Sequence, residues 1–595
     1  MKTQLQELLA RALDQVLSGL DAARPAGDFS INLDATKDAR FGDFQTNLAL
    51  QLAKPLGKPP RAVAEALVRA LPASDSVARI EIAGPGFINF FLNRAAFQNV
   101  VADVLAQGAN YGRDASGTRG RIMVEFVSAN PTGPMHVGHG RGAAYGDSVA
   151  KLLAATGWTV WREYYINDAG RQVDVLAVSV WLRYLQACGE TIDVPRRGYP
   201  GDYIKKTAAA VLDAHGRAFV RTANEVLAGL PTDTAAPDGA GDAEKEAAKT
   251  QQERYLDALI ERAKTLLGDG YRAIQDAALA DQLGAIRKTL ADFNVAFDQW
   301  SSEKALVDSG FVQKALKRLA DKGLTYEKDG ALWMRTEAFG DEKDRVLVKA
   351  DGAATYFCND LAYHVDKLDR GWTTLMDVWG ADHHGYIARV RAAIEALTSR
   401  HDALNVQLIQ FVTLSSGRMG KRSGNFVTLQ DLIDEAGTDA TRFFYLTRSH
   451  DQHLEFDIDL ARSQSNDNPV YYVQYAHARI CRVFEQLAEK GDTWKAENAT
   501  AALHRLDNEH EKALLTLLGR YPETLRKAAA AYTPHTVVFY LKDLAEALHG
   551  YYNAHRFLVD GDAELQDARL ALIAATRQVL KNGLTILGVS APEKM

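Results

Sequence analysis

The stretch from Arg121 to Gly142, RIMVEFVSANPTGPMHVGHGRG, constrains the fold of this chain more than any other feature. It begins with an apolar, β-branched run, RIMVEFVSA, which is typical of a strand buried on both faces of a parallel sheet. A turn rich in proline and glycine follows, and a long helix with many alanines and glycines begins near His139. A strand, a turn and a helix in this order predict the opening of a parallel α/β sheet.

The 595 residues exceed what one hydrophobic core usually holds, so we expect several domains. Residues 1–112 combine helical and strand-like patterns and predict a small α+β domain. Residues 113–464 predict a Rossmann-like parallel-sheet domain, which a mainly helical region at 184–291 interrupts. After that insertion, the strand-like segments ALWMRT, RVLVKA, TTLMDVWGAD and NVQLIQFVTL predict the second half of the sheet. Residues 465–595 show only amphipathic helices, which predicts an all-α bundle.

Composition excludes several classes of protein. The chain is 47% hydrophobic and 24% charged, and it has no apolar run of the ~18 residues that a membrane span needs. Its amphipathic amino terminus does not resemble a cleavable signal, so we expect a cytoplasmic protein. The cysteines, Cys188, Cys358 and Cys481, show no CxxC spacing, and we therefore expect neither disulfides nor a structural zinc site. The formal net charge of −7 indicates that any RNA contact must come from local basic patches.

The turn after the first buried strand carries two histidines at the start of the helix. Free backbone N–H groups and the positive end of a helix suit an anionic phosphate. His136 and His139 could hydrogen-bond phosphate oxygens, and Gly138, which lacks a side chain, would let an adenine ring lie flat on the backbone. Taken alone, two histidines at this spacing also fit a capped helix start or a metal pair.

A second loop, LSSGRMGKRSGNFVTL from Leu414 to Leu429, presents three cations, Arg418, Lys421 and Arg422, among glycines and serines. Mobile cations of this kind can clamp a triphosphate whose charge is redistributing. By itself the loop also fits a solvated basic surface. The two motifs constrain one another because they lie on the two halves of one split sheet.

HVGH and MGKRS resemble the two signature motifs of class I aminoacyl-tRNA synthetases, in their order and setting. The first motif spans residues 129–139 and the second lies in the loop 417–425, where Arg418 and Gly420 replace a lysine and a serine of the general signature. The resemblance to the arginine-specific branch covers essentially the whole chain. It is carried by EFVSANPTGPMHVGHGRGAAYGD, GYPGDYI, FDQWSSE, WGADHHGY, PVYYVQYAHARI and APEKM.

This resemblance implies an arginine–tRNA ligase. Such an enzyme activates L-arginine with ATP, releases pyrophosphate and transfers the arginyl group from arginyl-adenylate to the 3′ end of tRNA(Arg). We expect Mg²⁺ to accompany the nucleotide, and we expect a monomer. The residues implied in catalysis are His136, His139 and Lys421. Those implied in ATP binding are Gly138, Gly380, Asp382, His384 and Met419.

The amino-acid pocket follows from the same resemblance. The family's two guanidinium-binding carboxylates correspond to Glu125, at the end of the first buried strand, and to Asp360, with Tyr356 beside it. Paired carboxylates accept the planar donors of a guanidinium, whereas a lysine ammonium would leave acceptors unmet. Ser128 and Asn130 would hold the amino and carboxyl groups of the substrate. The alternative interpretation of Glu125 is a strand-end salt bridge to a structural arginine.

In the family, the helical carboxyl-terminal domain reads the anticodon. Splayed bases stack on aromatic rings and guanidinium planes, and the helical spacing of YYVQYAHARI places such groups on one face. The amino-terminal domain resembles the extra domain that touches the outer corner of the tRNA. The residues expected to contact tRNA are Tyr472, Tyr475, Arg479 and the terminal Met595 in the bundle, and Phe87 and Asn89 in the amino-terminal domain.

Two alternatives remain at this point. A metal-dependent phosphoesterase could place one or two divalent ions among His136, His139, Asp382 and His384. It would leave the lysine loop and the pair of carboxylates unexplained. A non-catalytic RNA-binding relative would be expected to carry damaged histidine and lysine motifs, and here both motifs persist.

Overall fold

The structure is a computed structural model, and it describes residues 2–19, 31–36, 39–415 and 427–595. Within these ranges it contains a small antiparallel sheet with helices, a five-stranded parallel sheet with helices, and a helical bundle. The predicted fold class is therefore confirmed. Among the helices of the described ranges, none has the length and apolar character to cross a bilayer.

The amino-terminal unit packs three helices against a four-stranded antiparallel sheet of order β1-β2-β4-β3. Its elements are α1 (Lys2–Gly19), β1 (Asp34–Ala35), β2 (Phe44–Thr46), α2 (Leu48–Ala53), α3 (Pro60–Ala70), β3 (Val77–Ala83) and β4 (Phe87–Leu92). Leucines at helical spacing, Leu5, Leu9 and Leu13, are buried with Ile88 and Phe90 of β4. These residues form a core of their own, as the alternating pattern predicted.

The next helix, α4 (Arg94–Gln107), packs on the bundle. The Gln98 amide donates to the carbonyl of Leu506 at 3.4 Å, and the Tyr111 hydroxyl donates to the carbonyl of Leu518 at 3.0 Å. The core of α4 is thus shared with the bundle, whereas the domain boundary predicted from sequence falls after this helix, at residue 112.

The first half of the parallel sheet and the insertion follow. Their elements are β5 (Gly120–Glu125), α5 (Val137–Ala155), β6 (Trp158–Ile166), α6 (Arg171–Ala187), α7 (Asp202–His215), α8 (Ala223–Leu227), α9 (Asp242–Leu267) and α10 (Asp269–Asp292). Helices α7 to α10 pack with α6 around a separate core that includes Trp181, Tyr184, Leu256 and Leu259. Apolar residues at helical spacing produce this helical insertion.

The second half of the sheet domain alternates strands and helices. Its elements are β7 (Gln299–Ser302), α11 (Glu303–Asp308), α12 (Phe311–Asp321), β8 (Thr325–Lys328), β9 (Ala331–Met334), β10 (Arg345–Val348), α13 (Tyr356–Asp369), β11 (Thr374–Gly380), α14 (Ile387–Thr398), β12 (Leu404–Ile409) and β13 (Val412–Leu414). Strands β8, β9 and β10 form a separate antiparallel sheet. The expectation that ALWMRT and RVLVKA join the main sheet is therefore wrong, because these strands pair antiparallel with each other and with β8.

The main sheet has the order β12-β11-β5-β6-β7, and every neighbouring pair is parallel. Strands β6 and β7 lie on one side of β5, and β11 and β12 lie on the other side. In sheets of this kind, ligands bind at the carboxyl ends of the strands where the direction reverses, here between β5 and β11. Glu125 ends β5 and Gly380 ends β11, so both lie at this edge.

The remaining elements are α15 (Leu429–Ala436), α16 (Thr438–Tyr445), β14 (Leu454–Phe456), α17 (Ile458–Arg462), α18 (Pro469–Glu489), α19 (Ala496–Ala499), α20 (Glu509–Ala531), α21 (His535–Ala554) and α22 (Ala563–Leu587). Buried Arg442 joins the bundle to the sheet domain, because it donates to the carbonyl of Leu587 at 2.9 Å and pairs with Asp147 of α5. Gly588 permits this approach: a Cβ there would lie 2.3 Å from the Arg442 guanidinium. The bundle is thereby fixed to the helix that begins at the histidine turn.

Candidate active site

The histidine turn forms the amino-terminal cap of α5. The Nδ1 atom of His136 accepts the backbone N–H of Gly138 at 3.0 Å, and the Nδ1 atom of His139 accepts the backbone N–H of His136 at 3.2 Å. The two rings stack with their centroids 3.6 Å apart. Because both Nδ1 atoms accept, each neutral ring carries its proton on Nε2. The turn therefore presents two imidazole N–H donors beside the positive end of a helix.

The surroundings favour the neutral form of both imidazoles. Burial lowers the pKa of His136, and it lowers the pKa of His139 to about 3, with a further contribution from the charge of His136. The pair can thus stabilise anionic oxygens by hydrogen bonding without carrying a full charge. Within the described ranges, no group of three or more His, Cys, Asp or Glu side chains is arranged to hold a metal ion, and the phosphoesterase alternative lacks support.

Gly138 has a structural role inside the turn. A Cβ at this position would lie 2.9 Å from Cε1 of His136, closer than real Cβ contacts allow. The glycine lets the His136 ring fold back over the first turn of α5, where it caps the helix. This contact gives a reason for glycine that is independent of the adenine stacking expected from sequence.

The carboxyl-terminal end of the lysine loop is attached to the histidine turn. The backbone N–H of Leu429 donates to the carbonyl of Met135 at 2.7 Å, and Thr428 forms an isolated antiparallel bridge with His136. Residues 416–426, which include Met419 and Lys421, lie outside the described residues. The described end of the loop therefore contacts the histidine turn at Met135 and His136.

The loop after β5 adopts an uncommon backbone conformation. Val127 has φ +69° and Ser128 has φ +40°, values that are rare for residues with a side chain and especially for a β-branched one. The Ser128 hydroxyl donates to Glu125 Oε1 at 2.9 Å and accepts the backbone N–H of Tyr165 at 3.1 Å. Such strain persists where the surroundings fix it, commonly at functional sites. The turn directs the Ser128 hydroxyl to the first predicted carboxylate.

Glu125 is 9% exposed at the end of β5. Its Oε2 accepts a hydrogen bond from Lys367 Nζ at 2.6 Å, so it is engaged in a buried ion pair with a lysine on α13 and not with an arginine. Burial raises the pKa of Glu125, and the charge of Lys367 opposes that rise. Oε1, by contrast, accepts a hydrogen bond from the small Ser128 hydroxyl and forms no ion pair with a side chain in the described part of the chain.

Asp360 and Tyr356 lie one turn apart at the start of α13. Tyr356 is 63% exposed and Asp360 is half-buried. Burial raises the pKa of Asp360 to about 6, and the Tyr386 hydroxyl and His364 oppose the rise. The rings of Tyr356 and Tyr386 lie 6.1 Å apart. The predicted aspartate is therefore flanked by two tyrosines.

The sequence-based interpretation missed a third carboxylate, Glu303. This residue begins α11 directly after β7, and burial together with the charges of Asp360 and Asp168 raises its pKa to about 7. The pKa of the Tyr165 hydroxyl is raised by burial and then by the charges of Glu303, Asp360 and Glu125, so all three carboxylates lie within electrostatic reach of that hydroxyl. A carboxylate immediately after a sheet strand, in FDQWSSE, was the available signal.

The remaining expected residues border the same sheet edge. Asn130 accepts a hydrogen bond from the Asn167 amide at 2.7 Å. Gly380 ends β11, and the short 3-10 helix Ala381–Tyr386 that follows exposes Asp382 and His384. A Cβ on Gly380 would lie 2.4 Å from Oδ1 of Asp382, so the glycine allows this sharp exit from the strand.

Three expected tRNA contacts meet on α18. Tyr472 and Tyr475 both face His549 of α21, with ring centroids 4.5 and 5.8 Å away. Arg479 donates to His549 Nδ1 at 3.0 Å, and its guanidinium lies 3.9 Å from the ring of Tyr552. We call these five residues the aromatic face. It is half-exposed except for the buried His549.

The other expected tRNA contacts differ in exposure. Met595 is 51% exposed, and the chain end before it is tied to α18, since the carbonyl of Pro592 lies 2.8 Å from His477 Nδ1. Phe87 is half-buried on β4. Asn89, on the same strand, is 2% exposed, and its Oδ1 has no hydrogen-bond partner in the part of the chain that the structure describes. The structure thus keeps the Asn89 side chain inside the amino-terminal sheet.

Three family models match the chain in order. The arginyl tRNA synthetase N terminal domain matches residues 3–92, the class I (R) tRNA synthetase catalytic domain matches residues 100–190 and 267–455, and the DALR anticodon binding domain matches residues 473–595.

Full-length relatives and solved structures agree with these models. The chain is 52% identical to the arginine–tRNA ligase of Thioalkalivibrio sulfidiphilus and 51% identical to that of Halorhodospira halophila, with 100% of each chain covered. A structure described as a putative arginyl tRNA synthetase from Campylobacter jejuni matches with a TM-score of 0.71 and 30% identity, over 85% of this chain and 100% of that one. The Thermus thermophilus arginyl-tRNA synthetase shares the fold, with a TM-score of 0.74 at 24% identity over 100% of both chains. The chain belongs to the arginyl-tRNA synthetase family, the class I ligases that join arginine to tRNA.

Proposed function

We propose that arginine is activated at the carboxyl edge of the parallel sheet, with its guanidinium between Glu125 and Asp360. The observation that supports this assignment is that Glu125 ends β5, at the edge where the sheet order reverses, and that Glu303, Asp360 and Glu125 act together on the pKa of Tyr165. A guanidinium and an α-ammonium group together carry two positive charges, which suits a pocket with several buried carboxylates. Glu303 is the added candidate for the α-ammonium group.

The remaining pocket residues have smaller roles in this proposal. The Tyr356 hydroxyl contacts the guanidinium, and Ser128 and Asn130 hold the amino and carboxyl ends of the substrate. The Ser128 hydroxyl already bonds to Glu125, so substrate and pocket compete for one donor. The α-carboxylate then points away from the acidic groups and toward the nucleotide.

ATP is bound between the histidine turn and the exit from β11 in this proposal. The Nε2–H groups of His136 and His139 donate to phosphate oxygens, and Lys421 supplies a cation. Mg²⁺ accompanies the triphosphate and offsets part of its charge. The ribose and adenine contacts come from Gly138, Gly380, Asp382, His384 and Met419.

The chemistry then has two steps. An oxygen of the arginine carboxylate attacks the α-phosphorus of ATP in line, the bond to the β-phosphate oxygen breaks, and pyrophosphate leaves. A hydroxyl of the terminal ribose of tRNA next attacks the arginyl carbonyl carbon, and AMP leaves as the hydroxyl loses its proton. Positioning and electrostatic stabilisation account for the acceleration, so no covalent enzyme intermediate is needed.

The RNA partner is tRNA(Arg), with anticodon bases stacking on Tyr472, Tyr475 and Arg479 near Met595. Phe87 contacts the outer corner of the tRNA, and Asn89 would have to leave its buried position to do so. We further propose a monomer that works in the cytoplasm.

Amino-acid-dependent pyrophosphate exchange tests the pocket assignment. We expect exchange with arginine alone among the amino acids, and we expect it to require tRNA. The variant Asp360→Asn should raise the arginine KM strongly while the ATP KM changes little, because the lost charge faces the guanidinium. An unchanged arginine KM would remove Asp360 from the pocket.

A further inference from the structure

Three carboxylates lie side by side on the central strands of the parallel sheet. Glu125 of β5 is in register with Asp377 of β11 on one side and with Glu163 of β6 on the other. All three are buried. Like charges opposite one another on neighbouring strands are destabilising, and buried carboxylates cost free energy unless they are paired. This row of carboxylates therefore requires matching cations.

Helix α13 supplies three basic side chains from a single face. His364, Lys367 and Arg370 follow one another at three-residue spacing, so they lie along one side of the helix and its last turn. Lys367, which has no exposed surface, donates to Glu125 Oε2 at 2.6 Å and to Asp377 Oδ1 at 3.0 Å. One ammonium group thus joins two of the carboxylates.

His364 extends this connection to the second pocket carboxylate. Its Nε2 lies 2.8 Å from Oδ2 of Asp377, and its Nδ1 lies 2.7 Å from the backbone carbonyl of Asp360. Both partners are oxygen acceptors, so each ring nitrogen that carries a proton can donate to one of them. A continuous chain of contacts therefore links Glu125, through Lys367, Asp377 and His364, to the backbone of Asp360.

The remaining carboxylate of the row, Glu163, forms a pair with Arg370 that does not contact the pocket carboxylates. Arg370 binds Glu163 with two hydrogen bonds of 2.7 Å each. Glu163 also accepts from Tyr363 at 2.7 Å and from Ser301 at 2.8 Å. This pair joins the same helix to the same sheet, although the Arg370 side chain is 24% exposed, and it offers a control for effects that are purely structural.

We propose that Lys367 and His364 are positioning residues that set the spacing of the two carboxylates that receive the arginine guanidinium. Lys367 holds Oε2 of Glu125 toward the interior, which leaves Oε1 for the substrate. His364 fixes the turn of α13 that carries Asp360. Asp377 contacts both Lys367 and His364 and holds the two side chains in place. The inference rests on the pocket roles proposed for Glu125 and Asp360.

Lys367 and His364 are needed for a reason beyond stability. A bidentate guanidinium requires acceptors at a defined separation, and misplacement of a catalytic or binding group by about 1 Å can cost about a hundredfold. Well-packed apolar residues are often as stable as a buried ion pair. A charged connection, unlike an apolar one, specifies where each carboxylate oxygen points.

The test compares Lys367→Met and His364→Asn with Arg370→Met. We expect Lys367→Met to raise the arginine KM by about tenfold or more, and His364→Asn to raise it by a smaller factor, while the ATP KM stays within about twofold. Arg370→Met should lower the melting temperature but leave the arginine KM within about twofold, because its partner lies outside the pocket.

A double-mutant cycle with Glu125→Gln separates this inference from the pocket assignment. If Lys367 acts by positioning Glu125, the arginine KM of the double variant should resemble that of Glu125→Gln alone. A product of the two single effects would overturn the positioning role. An unchanged arginine KM in Glu125→Gln would overturn the pocket assignment itself.

Two further outcomes decide the matter. If Lys367→Met does not fold, His364→Asn carries the test, and an unchanged arginine KM in that variant overturns the proposal. Equal increases in the arginine KM for Lys367→Met and Arg370→Met would also overturn it, because they would show a general loss of structure in α13.

Discussion

The proposed arginine pocket and the aromatic face of the bundle hold their side chains in opposite ways. In the pocket, the carboxylate of Glu125 is buried and bonded to a lysine that has no exposed surface. On the aromatic face, Tyr472, Tyr475 and Arg479 are half-exposed, and each of them contacts the ring of His549. A fixed geometry suits one small, rigid cation, whereas adaptable stacking suits bases that must be splayed from RNA.

The first prediction concerns the pocket and has the largest effect. Glu125→Gln should weaken arginine binding by about 3–5 kcal/mol, because one partner of a buried charge network is removed. The arginine KM in tRNA-dependent pyrophosphate exchange measures it. Glu163→Gln is the control, since Glu163 is the in-register neighbour on β6 and binds Arg370 instead. An equal rise in the arginine KM for both variants would contradict a specific role of Glu125 in arginine binding.

The second prediction concerns the lysine loop. Lys421→Ala should reduce the activation rate by about 10²–10³-fold, as expected for the loss of one group that stabilises developing charge. Arginine affinity should change far less, because the cation faces phosphate and not the amino acid. Single-turnover formation of arginyl-adenylate, compared with equilibrium arginine binding, distinguishes the two quantities. Equal losses in rate and affinity would contradict the role.

The third prediction is a pH dependence confined to the pocket. The pKa of Asp360 is raised to about 6 and that of Glu303 to about 7 in the protein without arginine. Arginine requires the ionised carboxylates, so its binding must release protons where these groups are protonated.

Arginine affinity should therefore rise between about pH 5.5 and about pH 7.5, by up to about tenfold per pH unit for each group. Calorimetry in buffers of different ionisation enthalpy measures the proton release directly. Asp360→Asn should flatten the lower part of the profile. A profile that is flat across this range in the unmodified chain would exclude these groups as the binding carboxylates.

The fourth prediction concerns the aromatic face and is the smallest. Arg479→Ala should raise the tRNA KM by the equivalent of about 1–3 kcal/mol, because stacking and a guanidinium contact are lost. The arginine KM at saturating tRNA should not change. Arg482→Ala on the same helix is the control, since Arg482 is exposed and pairs with Glu485 and Glu489. An equal effect of both variants would indicate general electrostatics instead of a specific face.

Elements with strong local patterns were predictable from the sequence. The β-branched run became β5, the turn after it became a helix cap, and the region after residue 465 became a bundle. The predictions that failed or needed revision depend on pairing partners. Two strand-like segments, ALWMRT and RVLVKA, form a separate antiparallel sheet, because alternation of residues shows a strand but not its neighbour.

Burial decided the outcome for single residues as well. Asn89 follows a glycine–proline turn and reads as a surface residue, yet β2 and β3 enclose it on both sides. The sequence patterns did not single out Glu303, yet its position after β7 brings it close to Asp360 and Asp168. A local pattern contains no information about which distant segment covers a given side chain.

The amino-acid sequence was enough to predict most helices and strands, two candidate phosphate-binding motifs and the resemblance to one synthetase branch. Which charges meet follows only from the folded arrangement of the chain. Lys367 and Glu125 are 242 positions apart, and no periodicity relates them. They form a pair because parallel strands align Glu125 with Asp377 and because α13 crosses above them. Charge pairing depends on distances between side chains, and those distances exist only after the chain has folded.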